Sequence, residues 1–242
     1  LVFGGSDVAC ALEDPTRGEP VLEWVWEDQF KPTLKAAGES GSLAILGTGT
    51  VATAVSFRYD DEFHEDTRDS KRMSKDLSAI GSQLGSGAPG IAIAAVQIIW
   101  DQGNGLQHAR ALALTSASHI SIALAVQRER PNKKARIAFP SGHTSSAFAT
   151  ATSLAYSYGW PVGSPAFAAA GIVMGSKWAD NQHWLSDTVA GAFLGLYWAR
   201  ASHLSEKYRS AVGTADGSKT GGVRVIPLPL DGGGYVGFDW DI

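Results

Sequence analysis

One cysteine, Cys10, stands among 242 residues, so no disulfide can form within the chain, and cysteine usage leaves the compartment undetermined. Charge is scarce as well. Asp, Glu, Lys and Arg make up 18% of the chain, below the usual share for a globular domain, and the net charge is −4. That sign and size exclude a general attraction to nucleic acid. An unbroken apolar run of spanning length is also missing. The windows 40–57, 81–100, 111–127 and 137–176 contain no Asp, Glu, Lys or Arg, but Gly, Ser, Thr, Gln, Asn and Pro dilute them. A membrane span needs about 20 mainly apolar residues. With a mean hydropathy of −0.04, the pattern favours a soluble or membrane-peripheral helical core over a polytopic membrane enzyme, with an integral location left open.

What the chain does have is concentrated between Arg130 and Asp187. Arg130-Pro131 comes first, then Pro140-Ser141-Gly142-His143-Thr144, then Ser176-Lys177, His183 and Asp187. Histidine titrates near neutrality, which suits it to proton transfer, and it is also a nucleophile. Asp187 follows His183 by four residues; on a helix the two share a face, one turn apart. A carboxylate there can take a hydrogen bond from one imidazole nitrogen and leave the other free to attack. The small-residue run from Thr144 to Tyr158 reads as a helix, and a helix opened by Ser and Gly presents free N–H groups to an anion. Arg130 and Lys177 add positive charge. The ensemble reads as an oxyanion pocket with one histidine as nucleophile and another as acid.

Arg-Pro, then Pro-Ser-Gly-His, then Ser-(basic)-x5-His-x3-Asp resembles the signature of the type 2 phosphatidic acid phosphatase superfamily, which includes bacterial acid phosphatases, lipid phosphatases and vanadium haloperoxidases. The resemblance covers roughly residues 70–200. It implies that His183 attacks phosphorus and forms a phosphohistidine, that Asp187 orients it, and that His143 protonates the leaving oxygen. It implies that Arg130, Ser141, the Gly142 amide and Lys177 hold the phosphate oxygens, with no metal. The chain departs from the pattern twice, at cations. Ala123 stands where the family has a lysine, and Lys177 where it has an arginine. His119, one turn before Ala123, is a candidate replacement charge, as are Lys133 and Lys134.

The expected function is therefore metal-independent phosphomonoester hydrolysis on a phosphorylated small molecule or lipid. Two alternatives stand beside it: a haloperoxidase that would carry vanadate as cofactor, and a non-catalytic member that binds phosphorylated ligands. The chain begins at Leu1, and Leu1-Val2-Phe3-Gly4-Gly5 is compatible with the remnant of an export signal, hence an exported or periplasmic protein. The fold expected is all-α, about six or seven helices over residues 1–212 with an irregular arm at 1–20. Residues 213–242 are expected to form a linker and a C-terminal β-hairpin, able to touch a membrane surface or another chain. The acidic run at 60–69 reads as a solvated loop or exposed helix start rather than a metal site. Gly47-Thr48-Gly49 lacks the lysine of a phosphate loop. Gly191 and Gly195, four apart, predict a close helix contact.

Overall fold

The protein is described from a computed structural model, which covers residues 21–69, 73–215, 224–228 and 235–239. The N-terminal arm and the turn of the expected hairpin lie outside these residues. The helices are α1 (Val21–Trp24), α2 (Lys31–Ala37), α3 (Ser40–Ser56), α4 (Asp60–Asp69), α5 (Lys75–Leu84), α6 (Ala88–Trp100), α7 (Gln102–Val126), α8 (Gly142–Tyr158), α9 (Trp160–Ala179) and α10 (Leu185–Ala215). A wider π-turn, Val25–Phe30, joins α1 to α2, and a tight turn, Phe57–Tyr59, joins α3 to α4. Contacts divide the chain into a unit ending at Glu206 and a second beginning at Lys207. In the second, β1 (Arg224–Leu228) and β2 (Tyr235–Asp239) pair antiparallel, Arg224 opposite Asp239 and Leu228 opposite Tyr235.

Local chemistry sets the helix ends that matter for the site. Ser141 caps α8 by accepting the Thr144 N–H, and Ser74 caps α5 through the Leu77 N–H. α7 stops where Gln127 turns left-handed (φ 48) and its N–H closes on the Ala123 carbonyl. α9 begins at Trp160. Pro161 sits in the first turn, where a missing N–H costs nothing, and Pro165 is absorbed inside the helix. The acidic run is helical from Asp60 to Asp69, the second of the two forms its sequence allows.

The seam between α8 and α10 is built on glycine. A Cβ on Gly191 would lie 2.5 Å from the Ser141 carbonyl oxygen, so the α10 backbone seats directly on the start of α8. Across the helices the usual partition is inverted. α3 buries Ser42, Gly49 and Thr53, and α6 buries Gly90, Ala94 and Gln97. Meanwhile Leu46, Val51, Val55, Ile91, Ile99 and Trp100 are exposed. The small and polar residues that dilute the apolar windows therefore face inward, and the large apolar ones face out. Outward apolar faces over small and polar inner faces are what lipid-facing helices present. Among the described residues two helical runs, Ser40–Thr67 and Gln102–Val126, are long and apolar enough to cross a membrane. A third is added if the bent pair α5–α6, angled by 46°, counts as one span. This arrangement favours the membrane-associated or integral location over a freely soluble core, because hydropathy averaged along a window cannot see which face the serines and glycines occupy.

Candidate active site

Successive helices bring their ends to one place: the C-terminal ends of α5, α7 and α9, and the N-terminal ends of α8 and α10. Each contributes residues from a short stretch. α7 supplies His119 and, through the loop after it, Arg130. The start of α8 supplies Ser141, Gly142 and His143. The last turn of α9 supplies Ser176 and Lys177, and the turn into α10 supplies His183 and Asp187.

His183 is buried, and its ring Nδ1 lies 2.8 Å from the Ala138 carbonyl oxygen. A carbonyl only accepts, so Nδ1 carries the proton and Nε2 carries the lone pair. The expected partner is displaced. Asp187 Oδ2 lies 3.7 Å from Nδ1 and instead accepts the Trp184 N–H at 2.9 Å. Its Oδ1 accepts from Arg128 Nη1 at 2.7 Å. The reason is where α10 begins. Its first residue is Leu185, so His183 precedes the helix and the one-face geometry of an i, i+4 pair does not apply. Asp187, on the first turn, serves as a backward cap on the entry to its own helix.

Lys177 is fully buried, and its Nζ donates to Ser82 Oγ at 2.8 Å and Gln182 Oε1 at 3.4 Å. Asp180 accepts from both Ser78 and Ser82, which ties α5 to this end of α9. Burial lowers the Lys177 pKa, opposed by Asp180 and reinforced by Arg130. Arg130 Nε is buried without a hydrogen-bond partner. His143 is pushed down to about 4, first by burial and then by repulsion from Lys177, from His183 when that ring is protonated, from Arg130, and from His119 when it is protonated. His119 lies against Gly142: a Cβ there would fall 2.6 Å from its Cε1 and 2.8 Å from its Nε2. Ala123, one turn on, is buried at 4% exposure.

Ser141 is buried, with its Oγ 3.0 Å from Thr144 Oγ1 and in the cap of α8. Its N–H donates to the Asp187 carbonyl, so the two motif blocks are stitched through backbone. The N–H groups of Gly142 and His143 lie in the first turn, ahead of the helical ladder, as an anion site requires. Five contributors are not apparent in the sequence reading: Ser82, Gln182, the Ala138 carbonyl, Arg128 and Asp60. Asp60 belongs to the acidic run yet is buried. Arg128 sits two residues from Arg130, and its spacing to Asp187 carries no local signal. Among the described residues no group of three or more His, Cys, Asp and Glu is placed to hold a metal ion.

A cavity of about 350 Å³ runs between α3, α7 and α10, lined by Leu46, Phe57, Ile122, Phe139, Pro140 and Phe193 among others. It ends at the Phe139-Pro140 turn, one residue from Ser141.

Comparison with known proteins bears on this arrangement. The family model for the PAP2 superfamily matches residues 105–211. A stretch of 74 residues is 39% identical to a lipid A 1-phosphatase of Porphyromonas gingivalis, over 28% of this chain and 16% of that protein. The chain thus spans about a sixth of the curated relative it matches. The fold is similar to the crystal structure of Aquifex aeolicus LpxE, with a TM-score of 0.53 and 21% identity, covering 62% of this chain and 95% of that one. It is also similar to a transmembrane PAP2-type phosphatidylglycerolphosphate phosphatase from Bacillus subtilis, with a TM-score of 0.51 and 17% identity, covering 71% and 96%.

Proposed function

With residues 105–211 forming a PAP2-superfamily segment, we propose that the protein is an integral membrane phosphatase that removes phosphate from a lipid phosphomonoester through a phosphohistidine. The observation that carries the reading is the state of His183. Its Nδ1–H is held by the Ala138 carbonyl, which leaves Nε2 as the nitrogen available for attack. Nε2 attacks phosphorus as the ester P–O bond breaks, and His143 gives its proton to the leaving oxygen. Water then attacks phosphorus, the P–N bond breaks with its electron pair returning to His183 Nε2, and His143 takes the water proton. Lys177, Arg130 and the α8 N-terminus carry the negative charge on the equatorial oxygens. His119, against Gly142, offers an imidazole N–H to the phosphate in place of the lysine absent at Ala123. Cations and N–H donors then carry the charge on the phosphate oxygens without a metal.

The lipid assignment is supported by two features: outward-facing apolar helices and the apolar cavity that reaches Pro140. A headgroup phosphate in the pocket leaves an acyl chain adjacent to that cavity. The name of the relative from P. gingivalis points to the same chemical class. The reading is tested by phosphate release from detergent-dispersed lipid phosphates, nucleotides and sugar phosphates, with excess chelator present. Release from the lipid phosphates, lost in His183→Gln, is expected. Release only from soluble phosphates would overturn the lipid assignment, and specific phosphate binding without any release would favour the binding-only alternative raised by Ala123.

A further inference from the structure

Two charged groups beside this pocket, Asp60 buried and Arg128 half-buried, have no part in the steps assigned above. Asp60, from the start of α4, accepts the Ser186 N–H at 2.8 Å and the Ser186 hydroxyl at 2.6 Å, and so caps α10 from a different part of the chain. Its Oδ2 also accepts from Arg128 Nη2 at 2.7 Å. Arg128 Nη1 reaches Asp187 Oδ1 at 2.7 Å and Ser186 Oγ at 2.6 Å. The guanidinium is one-fifth exposed, Asp60 and Asp187 almost not at all, and it lies 4.5 Å from the Phe57 ring centroid and 5.3 Å from that of Trp184. The backbone of the same residue does something else. The Arg128 carbonyl accepts the Ala138 N–H at 3.0 Å, and the Ala138 carbonyl accepts the His183 Nδ1–H.

We propose that Arg128, seated between Asp60 and Asp187, is a positioning residue that fixes His183 in its attacking tautomer and direction. The inference rests on the phosphatase reading above. One planar fork bridges two carboxylates that would otherwise repel each other in a buried site. By gripping Asp187 and Ser186 it locks the first turn of α10 to the loop that carries Ala138. The acceptor for Nδ1–H and the turn that carries His183 are thus anchored to one residue. Without the guanidinium, the Ala138 carbonyl and the His183 ring can drift apart. Asp187 is then released to compete for Nδ1, and the Nε2 lone pair loses its fixed aim. A nucleophile displaced by a fraction of an ångström loses rate rather than ground-state affinity, because Lys177 and Arg130 still hold the phosphate.

The test is a double-mutant cycle on the full chain in detergent micelles, with an aryl phosphate as probe. Arg128→Met is expected to lower kcat by about tenfold or more with KM changed by less than about twofold. Asp187→Asn should then cost at least about tenfold less in the Arg128→Met background than in wild type, because both act through one arrangement. Arg128→Lys should recover part of kcat, since an ammonium can serve one carboxylate but not both. Costs of Arg128→Met and Asp187→Asn that multiply independently would overturn the proposal, as would a KM increase matching the loss of kcat. Should Arg128→Met fail to fold, Asp60→Asn, which keeps an acceptor for Ser186, enters the same cycle under the same criteria. Imidazole ¹⁵N spectra separate this proposal from the reading it rests on. A wild type that releases no phosphate defeats the phosphatase reading. The clamp is then judged by whether His183, protonated at Nδ1 in wild type, becomes a tautomer mixture in Arg128→Met; an unchanged spectrum would overturn it.

Discussion

Gly142→Ala is the smallest change that interrogates His119 at this pocket. The added Cβ would lie 2.6 Å from His119 Cε1, 2.8 Å from its Nε2 and 3.1 Å from its Nδ1. Carbon contacts settle at about 3.5–4.0 Å, so the imidazole must retreat by about 1 Å. Residue 142 is the first residue of α8, and alanine is a better helix residue than glycine by about 0.5–1 kcal/mol in helix interiors. The variant keeps the residue 142 N–H, so neither the fold nor that donor is lost. If His119 donates an imidazole N–H to the phosphate, a displacement of this size lowers kcat/KM by up to about 100-fold, with the thermal midpoint unchanged or raised. The assay is initial-rate phosphate release for wild type, Gly142→Ala, His119→Ala and the double variant. In the double variant the alanine at 142 should cost almost nothing further, because the ring it displaces is gone. An equal cost of Gly142→Ala with and without His119 would refute the reasoning and put the effect in the backbone of α8.

Three further outcomes follow from the site. Lys177→Met removes a buried ammonium with little change of shape; losing one such contact to the transition state costs on the order of 2–4 kcal/mol, so kcat/KM should fall about 30- to 1000-fold, and an unchanged value would remove Lys177 from the pocket. His143 must be protonated to act as acid, and its pKa in the empty site is about 4, so kcat/KM should decline as pH rises above that value. A bound phosphate dianion favours the charged imidazole, which moves the corresponding limb of kcat to higher pH; identical profiles in His143→Gln would show that another group is titrating. Vanadate, which copies five-coordinate phosphorus, should inhibit, and activity should persist in excess chelator; loss in chelator restored by a divalent ion would contradict the cation-only chemistry.

Sequence spacing reaches as far as the backbone carries information locally. Pro140 to His143 reads as a helix start because capping is a property of a few consecutive residues, and Ser141 does cap α8. Gly191 reads as a close approach because only a missing Cβ allows one. The hairpin is legible from its glycine run, and its strands pair as expected. What the sequence hides is the partner across space. The interval from His183 to Asp187 suits a helical hydrogen bond, yet α10 starts two residues too late for it. The carboxylate goes to Arg128 and the imidazole to a carbonyl, which has no side-chain signature at all. Asp60 is invisible for the same reason: a charged run looks solvated until one member is found folded under a neighbouring helix. The direction of the serines and glycines in α3 and α6 is likewise a matter of neighbours, and it reverses the balance between a soluble and a membrane setting.

The phosphohistidine is the claim on which the rest depends. Brief reaction with a ³²P-labelled lipid phosphate, an alkaline quench and mass-spectrometric mapping of the labelled peptide tests it directly. The account predicts one label on His183, stable in base and lost in acid, and absent from His183→Gln. Turnover that leaves no such label in rapid-quench sampling, or a label on any other residue, would contradict it.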